Sequence, residues 1–209
     1  DGGSTIFTLN TLATELQAQG MYDEAEPLFR EALEVSREML GNRHPSTLTF
    51  INNLGSLLDD KGDLAAAEPL YCEALEAKRE TLGSRHPSTL TSINNLGVLL
   101  QAKGDYAAAE PLCREALEVQ RETLGNRHPS TLLSINNLGA LLKVKGDYAT
   151  AELLCREALE VQRETLGNRH PSTLTSISIL GGMLQVKGDY AAAEPLCREA
   201  LVVQRETLG

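Results

Sequence analysis

The chain has 209 residues, of which 42% are hydrophobic and 23% charged, the balance of a folded protein and not of a disordered one. Aromatics supply only 4% and Trp is absent, so the core must be built from Leu, Ile and Ala, which suits closely packed helices. A formal charge of −10, concentrated in the front half, argues against nucleic acid and anionic membranes as partners, since both require clustered basic charge, and no apolar run approaches the roughly 18 residues needed to cross a bilayer.

A fixed period organises everything else. Sliding the sequence by 42 residues superimposes Gly41, Gly83, Gly125, Gly167 and Gly209. It also superimposes Gly20, Gly62, Gly104, Gly146 and Gly188, and the pairs His44-Pro45, His86-Pro87, His128-Pro129 and His170-Pro171. Such a period marks a repeat array. Five units fit, at about 4–45, 46–87, 88–129, 130–171 and 172–209, and together they form one array. The opening Asp1-Gly2-Gly3-Ser4 has no initiator Met and no basic-then-apolar leader, which reads as an excised fragment of a longer chain or the scar of a tag.

Each unit carries two helical patterns. In the first, Met21 stands where other units have an aspartate, so its second helix lacks a capping side chain. In the second, Asp59, Asp60 and Asp63 flank a helix end without the remaining residues of a calcium loop. The third shows the pattern most clearly. Its first helix is expected from about Ser88 to Lys103, opened by Pro87, with Leu90, Ile93, Leu96, Gly97 and Leu100 on one face. Gly104 ends it, and Asp105 caps a second helix running to about Leu124. Tyr106, Ala109, Leu112, Cys113, Ala116, Leu117 and Leu124 should face inward, while Glu110 and Arg114 pair on the outside. Pro111 in the second turn predicts a slight bend; the fourth unit has Leu153 there. The fifth unit departs most, with Ser178-Ile179, Gly182, Met183 and Val202.

The histidines and cysteines invite a search for chemistry. One histidine falls in each inter-repeat loop, 42 residues from the next, so the four cannot converge on one metal ion, and each should help start a helix beside its proline. Cys113, Cys155 and Cys197 share one repeat position, and equivalent positions on packed helices are too far apart for a disulfide. With Cys72 they are expected to be small buried hydrophobes in a reducing, cytoplasmic setting. No catalytic grouping, phosphate loop, metal set or cofactor motif is found, so the chain reads as a non-enzyme.

At Leu96-Gly97, Ala109 and Ala116 the unit resembles the tetratricopeptide repeat, whose small residues let two helices approach closely. The motif INNLG…KGDYAAAEPLCREALEVQRETLG..HP is similar to the longer, 42-residue version found in kinesin light chains and related scaffolds. The resemblance covers essentially the whole chain. It implies an all-α, right-handed α-solenoid of five helix-turn-helix units whose first helices line a concave groove.

By that resemblance the asparagines become candidate groove residues. Asn10, Asn52, Asn94 and Asn136 share one position, and Asn53, Asn95 and Asn137 follow three of them. An amide offers both donor and acceptor, which suits a bound peptide backbone; equally, it could tie neighbouring repeats together. Ser56, Val98, Gln101 and Lys143 lie at other groove positions, where the units differ most. Kinesin light chains take acidic peptides, but Asp59 and Asp60 oppose such a ligand. The first two units carry −4 and −3 of the net charge, which favours a partner with basic residues. The leading reading is a non-catalytic scaffold holding a protein or peptide partner in the groove. The second is a structural spacer, natural or consensus-derived, that self-associates end to end or through its greasy fifth unit.

Overall fold

The computed structural model describes the backbone of residues 2–208 and the side chains of residues 6–203, 205 and 206. Asp1, the Ser4 side chain and the repeat glycine Gly209 lie outside the described residues. Ten α-helices form and no strand does, among the described residues. They are α1 (Gly2–Ala18), α2 (Tyr22–Leu40), α3 (Pro45–Asp60), α4 (Leu64–Leu82), α5 (Pro87–Ala102), α6 (Tyr106–Leu124), α7 (Pro129–Lys145), α8 (Tyr148–Leu166), α9 (Pro171–Val186) and α10 (Tyr190–Leu208). Five sequential helix pairs make the all-α solenoid that the 42-residue period predicts. The chain divides into two compact units, residues 1–105 and 106–209. In the first, α1 packs on α2, α2 on α3, α3 on α4 and α4 on α5; in the second, α6 packs on α7, α7 on α8, α8 on α9 and α9 on α10.

Helix starts are written twice per repeat. Each proline after a loop histidine sits in the first turn, where its missing N–H is not needed. The histidine itself is the cap: Nδ1 of His44, His86, His128 and His170 accepts a bond from the backbone N–H of Ser46, Ser88, Ser130 and Ser172 at 3.1–3.2 Å. At the second helices, Asp63, Asp147 and Asp189 accept from the N–H groups of Ala66, Thr150 and Ala192. Met21 makes no side-chain cap on α2. A Met21→Asp substitution should therefore raise stability by about 1 kcal/mol, read as a shift in the urea unfolding midpoint. Pro111 lies inside an unbroken α6, as Pro27, Pro69 and Pro195 do in α2, α4 and α10. Between repeats the chain turns at Gly41, Gly83 and Gly167, where φ is 81–88° with an extended ψ. That region is essentially closed to residues with a side chain.

Within a pair the helices approach through a glycine. A Cβ added at Gly55 would meet the Tyr71 ring at 2.9 Å, one at Gly139 would meet Cys155 Sγ at 2.7 Å, and one at Gly181 would meet Cys197 Sγ at 3.2 Å. The first-helix stripe is buried as expected, with Leu90, Ile93, Leu96 and Leu100 all covered. Leu124 is not: it is the last residue of α6, beside the Gly125 turn, and stays 38% exposed. Two cysteines also differ from expectation. Cys113 and Cys155 are buried, but Cys72 and Cys197 are half-buried, and none of the four forms a disulfide. Cys72 occupies the outward position filled by Arg30, Arg114, Arg156 and Arg198 in the other units.

Buried polar side chains join each second helix to the first helix that follows. Lys78 Nζ donates to Ser92 Oγ at 2.8 Å, and Ser176 Oγ lies 2.6 Å from Gln162 Oε1, both pairs fourteen residues apart. In the first repeat junction the same two positions hold Ser36 and Phe50, with Ser36 bonded to Thr47 Oγ1 at 2.8 Å. The pair is small-then-large there and large-then-small elsewhere.

Outside this core, ion pairs stitch repeats together. Arg37 reaches Glu73 at 2.7 Å and Arg121 reaches Glu157 at 2.6 Å, with Arg163 bound to Glu199 at the equivalent place. Lys61 binds both Asp23 and Glu26 at 2.7 Å, and Lys145 and Lys187 hold Glu110 and Glu152. Hydrogen bonds from Lys61, Lys145 and Lys187 keep the Glu26, Glu110 and Glu152 carboxyls below the usual carboxylate range. Partly exposed pairs of this kind contribute at most about 1 kcal/mol each, so they specify neighbours more than they stabilise the fold.

Candidate protein-interaction face

The first helix of each pair supplies the candidate residues. In the 1–105 unit, Asn53 Nδ2 donates to Asn10 Oδ1 at 2.9 Å, and Asn95 Nδ2 donates to Asn52 Oδ1 at 3.1 Å. The second asparagine of one repeat thus binds the first asparagine of the repeat before it. This is the inter-repeat role weighed above, and it leaves part of each amide unused: an Asn10 or Asn52 donor and an Asn53 or Asn95 acceptor. Asn94 and Asn136 are sunk to 8% and 4% exposure. Asn136 Oδ1 lies 2.7 Å from Ser176 Oγ, so the hydroxyl proton is shared between this amide and Gln162. Asn137 is half-buried.

The structure gathers some of the remaining candidates into a crevice. Thr14, Gln17 and Ala18 of α1 face Asn53, Ser56 and Asp60 of α3 across a hollow of about 380 Å³. Gln17 Nε2 donates to Asp60 Oδ2 at 2.7 Å and lies 3.4 Å from Ser56 Oγ. Asp59, beside it, has its carboxyl pushed above the usual range by burial and then by the charge of Asp60. The Tyr71 hydroxyl is raised as well, by burial first and by Asp59 next. The lining offers two amides, two hydroxyls and a carboxylate, and none of it is basic.

Val98 on α5 is 42% exposed, and Gln101 beside it is half-buried. In the 106–209 unit, Lys143 on α7 lies against Gly182 on α9: a Cβ at Gly182 would come within 2.8 Å of Nζ. Gly182, one of the fifth repeat's departures, leaves the space that Lys143 occupies.

A second crevice in that unit escaped the sequence reading. Leu133, Leu166, Pro129 and Pro171 enclose about 320 Å³, with buried Asn136 and Gln162 also lining it. A signal existed: Leu133 stands where the second, third and fifth units have Thr49, Thr91 and Thr175. The pocket can take an apolar side chain while the amides bond to a neighbouring backbone group. Nucleophilic chemistry is disfavoured at Cys155 and Cys72, since burial pushes the Cys155 thiol up to about 11 and raises that of Cys72. No group of three or more His, Cys, Asp or Glu side chains is placed to hold a metal ion, among the described residues. No helix is long and apolar enough to cross a membrane, among the described residues.

Tetratricopeptide repeat models match residues 4–80 and 132–201, and a second such model matches 89–130. The chain belongs to the tetratricopeptide repeat family. Its solved neighbours narrow the type. Two are crystal structures of nearly identical TPR-like repeats from a Podosopora anserina protein described as a kinesin light chain candidate. One is 27% identical with a TM-score of 0.84, covering 100% of this chain and 98% of that one. The other is 28% identical with a TM-score of 0.80, covering 97% and 96%. BtubC (BKLC) from P. vanneervenii shares the fold at 24% identity and a TM-score of 0.82, covering 100% of this chain and 83% of that one. No curated protein matches the sequence. Proteins of this family are generally non-catalytic scaffolds that bind protein or peptide partners.

Proposed function

We propose that the chain holds a peptide segment of a partner protein in the groove lined by its first helices, with Asn10, Asn52, Asn53 and Asn95 bonding the peptide backbone. Ser56, Val98, Gln101 and Lys143 set side-chain preference along it, and Asn94, Asn136 and Asn137 support the frame. The observation that carries this reading is the crevice between α1 and α3, where Asn53, Ser56, Gln17 and Asp60 converge without a cation. Asp60, with Asp59 next to it, favours a ligand bearing Lys or Arg over an acidic one. The crevice behind Leu133 gives the 106–209 unit an anchor for a Leu- or Met-like side chain.

The test is a fluorescence-anisotropy titration with a short labelled Lys/Leu peptide and its Glu/Leu counterpart. The basic peptide should bind at least about tenfold tighter, a difference of about 1.4 kcal/mol. Asp59→Asn with Asp60→Asn should remove that preference, and Asn53→Ala with Asn95→Ala should weaken both peptides. Tighter binding of the acidic peptide, or a preference untouched by the aspartate changes, would refute the charge assignment.

A further inference from the structure

Two amides lie at the floor of the crevice behind Leu133. Asn136 on α7 and Gln162 on α8 line it at 4% and 1% exposure. Their side-chain oxygens both lie on one hydroxyl, Ser176 Oγ, at 2.7 and 2.6 Å, so the two amides stand side by side. Neither side chain makes another hydrogen bond, among the described residues. A hydroxyl carries one proton and donates to one of the two oxygens. The second amide is bonded as well once it presents its NH2 to Oγ, which its near-symmetric shape allows. The pair then offers the crevice one free carbonyl oxygen and one free NH2.

That floor discriminates between side-chain tips. An apolar tip covers two nearly buried polar groups without bonding them, which weakens binding. A carboxylate accepts from the NH2 but opposes the carbonyl oxygen, and no Lys or Arg lines the crevice to offset its charge. A carboxamide carries the same two functions in reverse: its NH2 donates to the free oxygen and its oxygen accepts from the free NH2. The stem behind such a tip meets Leu133, Leu166 and Pro171, and about 320 Å³ accommodates a side chain of methionine or glutamine length. The combination occurs once in the sequence. The pairs at these two repeat positions are Phe7 with Ser36, Thr49 with Lys78, Thr91 with Gln120, Leu133 with Gln162 and Thr175 with Gln204.

We propose that this crevice selects a glutamine side chain, its amide paired with Asn136 and Gln162. The inference rests on the peptide-binding reading above and names the partner residue taken up in the 106–209 unit.

Two measurements test it. In the first, three labelled peptides share one Lys/Leu background and differ at a single residue, which is Gln, Met or Glu. The Gln peptide should bind at least about tenfold tighter than the other two by fluorescence anisotropy. Gln162→Met, which keeps the volume, should erase its advantage over the Met peptide. Leu133→Thr, an exposed position where three other units carry Thr, should weaken the Gln and Met peptides alike. The second measurement needs no groove contact: nitrogen–proton spectra of the chain titrated with the N-acetyl methylamides of Gln, Met and Glu. The Gln162 side-chain NH2 signal, assigned by its loss in Gln162→Met, should move with the glutamine compound and stay in place with the glutamate one. Circular dichroism checks the fold of both variants; should Gln162→Met unfold, Leu133→Thr and the spectra of the wild-type chain, with the signal assigned by sequential connectivity, carry the test. Peptides that bind without a preference for Gln, or a glutamine compound that leaves the Gln162 signal unmoved, overturn the proposal. A glutamine-specific shift in a chain that binds none of the peptides upholds the crevice's choice and overturns the groove reading instead.

Discussion

Gly139→Ala will destabilise the protein by about 1–2 kcal/mol, and the same change made in a Cys155→Ala background will stabilise it by about 1 kcal/mol. Two effects oppose each other at this position. Alanine is the better helix former by about 1 kcal/mol, which favours the substitution. Against that, its Cβ would stand 2.7 Å from Cys155 Sγ, and Cys155 is fully buried and cannot swing aside. Overpacking a filled core costs about 1–3 kcal/mol, so the clash wins while the sulfur is present. Removing the sulfur removes the clash and leaves the propensity. The sign change between the two backgrounds, read from urea unfolding of the four chains, is the diagnostic result. Two destabilising values that simply add would show that the glycine serves some purpose other than close approach.

Lys78→Gln will stabilise the chain by about 1–3 kcal/mol near neutral pH, with the gain fading in alkali. Lys78 is 7% exposed, and its ammonium has the neutral hydroxyl of Ser92 as hydrogen-bond partner. Burial pushes it below the ordinary lysine value of 10.5. The folded state therefore releases this proton at a lower pH than the unfolded chain does. Between the lowered folded value and 10.5 the unfolded chain holds more protons, so stability rises with pH across that window. Below the folded value the cost of a buried charge is fully present. Glutamine fills the same position at Gln120 and Gln162, where it is 3% and 1% exposed, so the site accepts its shape. Urea midpoints of wild type and variant measured from neutral pH to above 10.5 should converge. Parallel curves would exclude Lys78 as their cause.

The fold was legible because the signals are local and repeated. Glycines, prolines and capping aspartates recur at one spacing, and each acts within a few residues of itself, so the helix boundaries at Pro87 and Leu124 emerge within a residue or so. The histidine caps were anticipated from proximity to proline alone. Properties that depend on a neighbouring repeat were harder to read. The repeat register alone sets Cys72, at the position of Arg30 and Arg114, apart from Cys113, but nothing local shows that Gly182 accommodates Lys143. The asparagines were visible as a pattern, but the donor–acceptor pairing of Asn53 with Asn10 requires the register between α1 and α3. The Leu133 crevice is hard to read because one apolar residue at a position that holds Thr in three units and Phe7 in the first resembles drift until the surrounding prolines and amides are seen around it.

The alternation of small and large residues at the second-helix and first-helix positions has a consequence for the order in which repeats assemble. Five near-copies offer nearly interchangeable mates, and a chain of this kind risks stacking its modules out of sequence. Three pairs of side chains guard against that. Ser36 leaves room for Phe50, whereas Lys78 and Gln162 reach across to Ser92 and Ser176. Setting α2 against α5 would bring Ser36 to Ser92 and leave a void of the kind that costs about 2–5 kcal/mol. Setting a large second-helix residue such as Gln162 against Phe50 would force a polar amide into a phenyl ring with no hydroxyl to bond it. The α2–α3 junction thus disfavours the mates that fit the other junctions, and it fixes the place of this helix pair in an otherwise permissive series.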